Sequence, residues 1–401
     1  MRTRPVAMTI AGSDSGGGAG LQADLKTFTS LGVFGTTVVT ALTAQNTVGV
    51  YRSMEVPLEV VEAQFDAIVM DFQVKFAKTG MLPSPKVIDL VKKKVKDYGI
   101  TLVFDPVMVS KTGYPLLDQE AREHLRQLLK SSLITTPNLF EAEILSGVKV
   151  STKEELKRAA MEIHRSSGVN VVAKGGSTLG GTDVVVIDGE AMELTEEGIS
   201  TKNLHGSGDV FSAAITAYLA KGYDLKTAVR SAKSFSTFAI KHSLDLGKGV
   251  GPVDPFSAVE WKAQREEVRE ELESILGELE KGGKLINLLS PEDKINLGGK
   301  TDYGDVASLA GGIIKYVNWT KIDGPILFNL DNLVSEVLRR VDKRYGISLP
   351  LTPKLLAWTE KRGIVVSGES LSGDLVLVKG KAVLLGRSGS ELMKLIEEIS
   401  K

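Results

Sequence analysis

The sequence predicts an α/β protein that has a central and mostly parallel sheet flanked by helices, followed by a second, smaller domain. Over residues 1–256, short apolar runs alternate with amphipathic segments of helical length, which is the pattern of strands and helices in a parallel sheet. The chain of 401 residues is also longer than one typical hydrophobic core requires, so we expect two domains.

The elements of the first domain can be justified in chain order. "VAMTIAG" is a strand, and the helix "GLQADLKTFTSLG" follows it with Leu21, Leu25 and Phe28 at helical spacing. "TLVFDPVMV" and "VNVVAKGG" are buried strands, and a charged helix precedes each of them. In "TDVVVIDGEAMEL", Asp-Gly between two apolar runs predicts a hairpin attached to that sheet.

The second domain is smaller and less regular. "SAVEWKAQREEVREELESILGELEKGGK" is highly charged and ends in Gly-Gly, so we predict a charged helical linker over residues 257–283. Residues 284–401 mix helices with strand-like runs and predict a small C-terminal α/β or α+β domain.

The composition excludes several classes of protein. A formal net charge of −1 gives no general attraction to nucleic acid or to an anionic membrane, and no run reaches the roughly 18 apolar residues of a membrane span. The absence of cysteine excludes disulfides, thiolate metal sites and a cysteine nucleophile. We therefore expect a cytoplasmic protein that binds a small molecule and has no nucleic-acid or membrane partner.

A glycine-rich turn lies between the first strand and the first helix. "AGSDSGGGAGLQADL" lets the backbone approach a ligand and exposes the amides of a helix N-terminus. It is neither a Walker A loop nor a dinucleotide-binding fingerprint. A tight connection without a ligand is the alternative, although the glycines exceed what a turn requires.

A second glycine pair precedes the apolar helix in "NLHGSGDVFSAAITAYLAKG". Gly206, Ser207 and Gly208 would present successive N–H groups as an anion cradle, to which the positive end of the helix adds. Asp209 is then either the N-cap of this helix or a general base that takes a hydroxyl proton beside the cradle. The glycines before it favour the base.

Polar side chains also follow several predicted strands. Asp105 comes directly after one strand, Asn138 and Glu141 after another, and Lys174 after a third. Ligands bind outside the carboxyl ends of such strands, where carboxylates suit Mg²⁺ and a lysine can neutralise phosphate. For Glu141 and for Glu143, a place in the first turn of a helix is the alternative, and for Lys174 it is a solvated position.

These pieces together resemble the ribokinase-like small-molecule kinases, and among them the hydroxymethylpyrimidine/phosphomethylpyrimidine kinases of thiamine biosynthesis. The resemblance covers about residues 5–255 and rests on "TIAGSDSGGGAGLQADLKTF", "VTALTAQNTVGV", "KTGML", "DPVMV", "TPNLFEAE", "VAKGG", "NLHGSGDVFSAAI" and "GKGVGP". It implies transfer of the ATP γ-phosphoryl group to a hydroxymethyl group on the pyrimidine, and then to the resulting monophosphate.

The resemblance also implies roles for single residues. Asp24 and Gln45 would hydrogen-bond the aminopyrimidine, and Gly12, Met81 and Val107 would line the ring pocket, with core filling as the rival role of Met81. The remaining implied residues bind ATP and Mg²⁺. Asp105 and Glu141 would bind the metal, and Asn138 and Lys174 would bind the nucleotide. Gly206 to Gly208 would form the anion hole. A homodimer is common in such kinases and is expected here.

One position departs from the resemblance. Many of these pyrimidine kinases carry cysteine where Asp209 stands, whereas sugar kinases of the wider superfamily carry aspartate, which strengthens the role of a base and leaves the substrate open. Pyridoxal kinase is the nearest alternative, and a sugar kinase is a weaker one. A thiamine-pathway sensor without turnover is the alternative from another class.

The C-terminal segment resembles, faintly, the archaeal-type thiamine-phosphate synthase domain in "LLSPEDKINLGGKTDYGDVASLAGGI" and "GPILFNLDNLVSEVLRRVDKRYG". That domain type uses a histidine after such a stretch, but the last histidine here is His242. Arg339, Arg340 and Arg344 would face a phosphate or, as we favour, lie on a solvated helix face. We expect a diverged domain that binds ligand, pairs subunits or regulates.

Overall fold

The computed structural model describes residues 3–108, 119–282, 285–317, 319–364, 366–367 and 373–400. The chain divides into two compact units, Met1–Ala258 and Val259–Lys401. Two domains were expected, and the boundary lies two residues beyond the predicted end of the first one.

The first unit is built on a nine-stranded sheet. Its strands are, in chain order, β1 (Val6–Asp14), β2 (Phe34–Gln45), β3 (Val50–Glu55), β4 (Phe76–Thr79), β5 (Thr101–Phe104), β6 (Ile134–Thr135), β7 (Asn170–Lys174), β8 (Thr182–Ile187) and β9 (Glu190–Thr195). The order across the sheet is β3-β2-β1-β4-β5-β6-β7-β8-β9. The six strands from β2 to β7 in this order pair in parallel, and β3, β8 and β9 pair antiparallel at the edges. The predicted mostly parallel sheet is confirmed.

Helices cover both faces of this sheet. They are α1 (Gly20–Ser30), α2 (Leu58–Asp71), α3 (Pro85–Asp97), α4 (Gln119–Leu129), α5 (Leu139–Ser146), α6 (Lys153–Ser167), α7 (Ser207–Ala220) and α8 (Leu225–Lys241). In β5, Leu102 and Phe104 belong to one hydrophobic cluster, whereas Val103 between them belongs to another. Because neighbouring side chains of a strand point to opposite faces, the sheet has a core on each side.

Local sequence explains where several of these elements begin and end. The helix α6 starts with a capping box between Thr152 and Glu155 and ends at Gly168 in the left-handed conformation. The predicted hairpin is β8 and β9, and its turn residues Asp188 and Gly189 have φ values of 53° and 85°. Positive φ at both positions is what a two-residue hairpin turn requires.

The second unit begins within α9 (Ser257–Gly282), the helix that was predicted to be a linker. That prediction was wrong in its role, because one face of α9 is part of the core of the second unit. Val268, Leu272 and Ile275 on this face are buried and cluster with Leu285 and Ile347. Residues 283 and 284, where the linker was expected to end, lie outside the described residues.

Antiparallel pairing dominates the rest of the second unit. Its remaining elements are β10 (Lys294–Ile295), β11 (Leu297–Lys300), β12 (Val306–Leu309), β13 (Gly312–Tyr316), β14 (Trp319–Asp323), β15 (Ile326–Phe328), α10 (Leu333–Leu338), β16 (Tyr345–Pro350), α11 (Pro353–Arg362), β17 (Val366–Ser367), β18 (Leu375–Val378), β19 (Lys381–Gly386) and α12 (Gly389–Ser400). A seven-stranded sheet has the order β15-β12-β11-β16-β19-β18-β17, and β10, β13 and β14 form a small second sheet. Of the two predicted classes, this arrangement is α+β.

The helix predicted around Arg339 and Arg340 is shorter than expected. It ends at Leu338, and both arginines lie beyond it and are exposed, with Arg339 paired to Asp331 at 3.3 Å. Arg344 instead lies 3.7 Å from Glu267 of α9. The three arginines therefore do not share one helix face. Among the described helices, none has a stretch long and apolar enough to span a membrane.

Candidate active site

The first unit contains a cavity of about 530 Å³ at the carboxyl ends of its parallel strands. This is where open α/β sheets bind ligands. Every predicted site residue except Asp24 lines it, and these residues are Gly12, Gln45, Met81, Asp105, Val107, Asn138, Glu141, Lys174, Gly206, Ser207, Gly208 and Asp209. The fold therefore brings residues that are almost 200 positions apart in the sequence to the lining of one cavity.

Asp209 lies in the first turn of α7 and is not its N-cap, because Gly206 holds that position. The side chain of Asp209 is 17% exposed and faces the cavity, and its Oδ1 lies 3.3 Å from Nζ of Lys78. The N-cap interpretation is thereby excluded. A carboxylate of which one oxygen is held by a buried cation and the other is left for a ligand is suited to act as a general base.

Asp24 does not reach the cavity, contrary to its expected contact with the pyrimidine. Its side chain is fully buried, accepts a hydrogen bond from Thr9 Oγ1 at 2.5 Å and lies 2.8 Å from Nζ of Lys78. The reason is its place on α1, where it shares the core face with Leu21 and Phe28. Asp24 thus lies behind Lys78, on the side away from the cavity wall.

Burial and neighbouring charges have opposite effects on the pKa values in this buried chain of Asp24, Lys78 and Asp209. Burial raises the pKa of Asp24 to about 7, although the Lys78 charge opposes the rise. Burial would lower the pKa of Lys78, but the carboxylates of Asp24, Asp209 and Asp105 outweigh it and hold that pKa above its usual value. Lys78 is therefore an ammonium ion at neutral pH, enclosed between two aspartates.

A second charged group lies at the ends of β5 and β7, beside the first turn of α7. Asp105 accepts hydrogen bonds from Thr136 at 3.0 Å and from Ser212 at 3.1 Å, and its Oδ1 lies 3.5 Å from Nζ of Lys174. The Asp105 side chain is buried, whereas Lys174 keeps 17% of its side chain exposed to the cavity. Lys174 is thus held by Asp105 and is not a solvated surface lysine.

Glu141 combines both of the interpretations that the sequence left open. It forms a capping box with Asn138 at the start of α5, and it also lines the cavity. Burial raises the pKa of Glu141 to about 7, opposed by Lys174 and increased by Asp105. Glu143 does not line the cavity, and its side chain accepts from the amide of Val150 at 2.8 Å, so its role is structural.

The donor set at this wall fits Mg²⁺. The ion prefers one or two carboxylates together with waters and phosphate oxygens, and Asp105 and Glu141 are two buried carboxylates on the cavity. Among the described residues, no group of three or more histidine, aspartate or glutamate side chains is arranged to hold a metal.

Two glycines shape the start of α7 in different ways. Gly206 has a φ of 79°, and a Cβ there would lie 1.9 Å from the carbonyl oxygen of Gly18. A Cβ at Gly208 would lie 3.3 Å from Nζ of Lys174. The amide of Ser207 donates to the carbonyl of Leu204 at 3.2 Å, so within the predicted cradle this N–H is already engaged. The amide of Val210 donates to the carbonyl of Gly206 at 2.9 Å, so the amides of Gly208 and Asp209 are the ones that precede this first bond of the helix ladder, at the end of α7 where an anion can bind.

Apolar side chains also line the cavity. Met81 and Val107 are half-buried on its wall, and a Cβ at Gly12 would lie 3.2 Å from Sδ of Met81. Met81 therefore borders the cavity, in contrast to its rival role as core filler. Gln45 also lines the cavity, and its side-chain nitrogen is 3.2 Å from Nε2 of His205.

Comparison with known proteins agrees with this geometry. The sequence model of a family described as phosphomethylpyrimidine kinase matches residues 14–254. The chain belongs to the phosphomethylpyrimidine kinase family. It is a phosphotransferase, as the resemblance of its motifs predicted.

Individual members of this and related families are similar over the first unit. A hydroxymethylpyrimidine/phosphomethylpyrimidine kinase of Haemophilus influenzae is 44% identical over 256 residues, which are 62% of this chain and 95% of that protein. An ADP complex of Bacillus subtilis pyridoxal kinase is 41% identical with a TM-score of 0.60, and the match covers 64% and 99% of the two chains. The phosphomethylpyrimidine kinase of Clostridium difficile 630 is 40% identical with a TM-score of 0.53, covering 59% and 100%.

Sequence reasoning missed three residues that the structure places at the site, namely Lys78, Asp14 and His205. Lys78 carried a readable signal, because a lysine inside the short strand "FAKT" of a sheet covered on both faces must have a buried counter-charge. Asp14 and His205 are 3.0 Å apart but lie 191 positions apart in sequence. Neither residue alone indicates that pairing.

Proposed function

We propose that this kinase transfers the γ-phosphoryl group of ATP to the hydroxymethyl group of 4-amino-5-hydroxymethyl-2-methylpyrimidine, and then to the resulting monophosphate. The observation that carries the proposal is the position of Asp209. It stands in the first turn of α7. The cavity that it lines is bordered by the apolar side chain of Met81 and by the charged Lys174 and Asp105. The similarity to the hydroxymethylpyrimidine/phosphomethylpyrimidine kinase of Haemophilus influenzae supports the choice of the pyrimidine.

The reaction then follows from the placement of these groups. The oxygen of the substrate hydroxyl forms a bond to the γ-phosphorus while Asp209 accepts the hydroxyl proton. The bond between that phosphorus and the β-bridging oxygen breaks, and ADP is released. Lys174 and the first-turn amides of α7 offset the negative charge on the transferred group. In the second round the attacking oxygen belongs to the phosphate of the monophosphate substrate. The product of this second transfer is the pyrimidine diphosphate.

Asp105, Glu141 and Asn138 are the residues proposed to hold Mg²⁺-ATP. When bound, the metal neutralises phosphate charge and orients the β- and γ-phosphates. Asp105 is itself oriented by Thr136 and Ser212, so its carboxylate is fixed before the nucleotide arrives.

Pyridoxal phosphorylation is the second candidate. The similarity to the Bacillus subtilis pyridoxal kinase, at 41% identity over 64% of this chain, favours it specifically. The aspartate at position 209 does not separate the two candidates, since either substrate offers a hydroxymethyl group to the same base.

A parallel measurement of ADP release separates the candidates. The full-length protein receives Mg²⁺-ATP with hydroxymethylpyrimidine, its monophosphate, pyridoxal or ribose, and the Asp209→Asn variant provides the background of uncoupled hydrolysis. Turnover of the first two acceptors is expected. Turnover of pyridoxal or ribose alone would reassign the substrate, and no turnover above background would favour the sensor.

A homodimer is the expected assembly, and the edge of the first sheet supports it. β3 and the end of β2 expose Leu42, Tyr51 and Met54, which are 44%, 68% and 57% exposed. Exposed apolar side chains that are clustered on a sheet edge suit a second copy. Light scattering of the protein and of a Tyr51→Ser, Met54→Ser variant is the test, and a monomeric parent protein would refute the dimer.

For residues 259–401 we propose a diverged domain that binds a ligand or regulates, without synthase activity. The exposed positions of Arg339 and Arg340 and the pairing of Arg339 with Asp331 support this interpretation. Formation of thiamine phosphate from its two precursors by the full chain would refute it.

A further inference from the structure

One group of polar side chains on the cavity wall takes no part in the proton transfer described above. His205 is 8% exposed, and its Nε2 lies 3.0 Å from Oδ2 of Asp14 and 3.2 Å from the amide nitrogen of Gln45. His205 and Gln45 both line the cavity, so an imidazole and an amide share one wall there.

Asp14 fixes which atom of His205 carries a proton. Its Oδ1 accepts the amide of Gly16 at 2.8 Å, and its Oδ2 accepts the amides of Gly18 at 3.0 Å and Ala19 at 2.9 Å. Burial would raise the pKa of Asp14, but the hydrogen bonds from His205, Gly16 and Ala19 outweigh it and lower that pKa. An ionised carboxylate only accepts hydrogen bonds, so Nε2 of His205 is the donor to it.

The imidazole cannot turn away from this arrangement, because the glycine loop is packed against it. A Cβ at Gly18 would lie 2.5 Å from Cδ2 of His205 and 3.0 Å from Cβ of Pro252. The backbone of His205 is also held on both sides, since its amide donates to the carbonyl of Gly251 and its carbonyl accepts from the amide of Val253. The position of Nε2 is therefore set by the fold.

The proton on Nε2 constrains the amide group of Gln45. With that proton in place, an amide nitrogen at 3.2 Å would set two donors against each other, whereas an amide oxygen at the same place would share the single Nε2 proton with Asp14 in a bifurcated hydrogen bond. The backbone of Gln45 is fixed by the hydroxyl of Ser15, which accepts its amide at 2.8 Å and donates to its carbonyl at 2.7 Å. Only the end of the side chain is free to turn.

We propose that His205, held as an Nε2–H donor by Asp14, is a positioning residue that turns the Gln45 oxygen toward itself and the Gln45 NH₂ group into the cavity. The site would then present a donor and recognise a ring nitrogen of the substrate, which is an acceptor, in preference to an exocyclic amino group. This inference rests on the proposed function for the identity of the ring, but not for the state of His205.

The first test measures that state directly. The chain has four histidines, so ¹⁵N labelling of histidine gives a spectrum in which each ring can be assigned from single His→Gln variants. His164 provides an internal contrast, since its Nδ1 lies 2.8 Å from the carbonyl oxygen of Val169 and must carry the proton there. We expect a proton on Nε2 for His205 and on Nδ1 for His164. A neutral His205 with its proton on Nδ1 alone would overturn the inference, whether or not the protein turns over a substrate.

The second test asks which substrate atom Gln45 reads. Glutamate at position 45 keeps an acceptor for His205 but offers no donor to the substrate. Replacing the recognised ring nitrogen of the substrate with CH should lower kcat/KM about ten-fold in the parent protein, and should have little further effect in Gln45→Glu. If the exocyclic amino group is instead the atom whose loss costs ten-fold in the parent, the proposed orientation is wrong.

A matched pair of variants isolates the role of His205. Gln at position 205 keeps an N–H donor at a similar reach, whereas Met fills a similar length without one. We expect His205→Met to raise KM for the pyrimidine about ten-fold with a smaller change in kcat, and His205→Gln to restore most of the loss. Equal effects of the two variants would leave His205 a packing residue and overturn the proposal. If the parent protein phosphorylates none of the acceptors, the proposed function fails while the spectrum still decides the state of His205.

Discussion

Nζ of Lys78 lies 3.3 Å from Oδ1 of Asp209 while the other side of the same ammonium group is bound by Asp24 at 2.8 Å. Lys78 and Asp24 are fully buried, and Asp209 alone meets the cavity. One cation therefore serves two carboxylates with different tasks. Asp24 compensates its charge in the interior, and Asp209 gains a fixed orientation for one of its oxygens, which leaves the other to accept a proton.

Lys78→Met should separate the structural from the catalytic part of this relationship. Removing one partner of a buried ion pair costs about 3–5 kcal/mol of unfolding free energy, whereas removing both charges is often neutral. We expect Lys78→Met to be destabilised and the double variant Asp24→Asn, Lys78→Met to recover stability. The double variant should still lose about 10- to 100-fold in kcat, because Asp209 has lost its support. Urea denaturation and ADP release measure the two effects, and normal kcat in the double variant would contradict the positioning role.

Asp209→Asn tests the base itself. Asparagine can still accept from Lys78 but takes no proton, so kcat should fall about 10²- to 10⁴-fold while substrate binding changes little. Asp224→Asn is the matched control, because Asp224 caps α8 through the amide of Thr227 and does not line the cavity. Binding measured by calorimetry together with kcat would check this. Near-normal turnover of Asp209→Asn ends the assignment of Asp209 as the base.

Alanine at the two glycines before Asp209 should affect different properties, the stability at Gly206 and the activity at Gly208. Gly206→Ala places a Cβ 1.9 Å from a backbone oxygen at positive φ, and we expect a loss of about 3 kcal/mol or more in unfolding free energy. Gly208 lies within α7, where alanine is favoured by about 1 kcal/mol, but its Cβ would stand 3.3 Å from Nζ of Lys174. Gly208→Ala should thus be at least as stable as the parent and lower kcat/KM about 10- to 100-fold.

Gly222→Ala is the control for backbone strain in that comparison. Gly222 has a φ of 88°, and no atom of the described residues lies within 4 Å of the position that an alanine Cβ would take, so only the conformational cost of about 1–2 kcal/mol applies. If Gly206→Ala costs no more than Gly222→Ala, the close approach between the two glycine loops does not determine stability.

The buried carboxyl of Asp24 should make stability depend on pH in an unusual direction. Because its pKa is about 7 in the folded protein and near 3.8 in the unfolded chain, the folded state binds the extra proton between these values. The contribution of Asp24 is therefore fully present below about pH 4 and is lost as the pH rises to about 7, by at most about 1.4 kcal/mol per pH unit. Asp24→Asn should flatten this part of the profile. Urea midpoints at half-unit intervals from about pH 4.5 to 7.5 would show it, with the exposed Asp71→Asn as control, and an unchanged slope in Asp24→Asn would contradict it.

Much of the cavity could be predicted from sequence because its residues follow strands or glycines. Asp105 and Lys174 come at the ends of β5 and β7, and the sheet topology alone brings such positions together. The expected role of Asp24 came from resemblance and ignored its spacing, three residues after Leu21 and four before Phe28, which places it on the buried face of α1.

Other features had no local signal. The pairing of Asp14 with His205 depends on the close approach of two glycine loops, and it is fixed only when the whole sheet has formed. The helix α9 had a signal that its charge obscured. Its buried residues Val268, Leu272, Ile275 and Leu279 recur at helical spacing, which is typical of a helix packed on a core.

The packing of α9 leads to a prediction about where the second unit begins. Burying each large aliphatic side chain contributes about 1.5–3 kcal/mol, so the apolar face of α9 accounts for a free energy comparable to the roughly 5–15 kcal/mol that stabilises a typical domain. Glu271 of α9 also accepts hydrogen bonds from the hydroxyl of Tyr345 and, at 2.7 Å, from the amide of Gly389.

A chain of residues 259–401 should therefore unfold cooperatively in urea, whereas residues 284–401 should show no cooperative transition by circular dichroism. Residues 1–258 should keep kinase turnover, because the residues that line the cavity lie between Gly12 and Ile240. Cooperative unfolding of residues 284–401 with the midpoint of the longer chain would show that α9 is a linker after all.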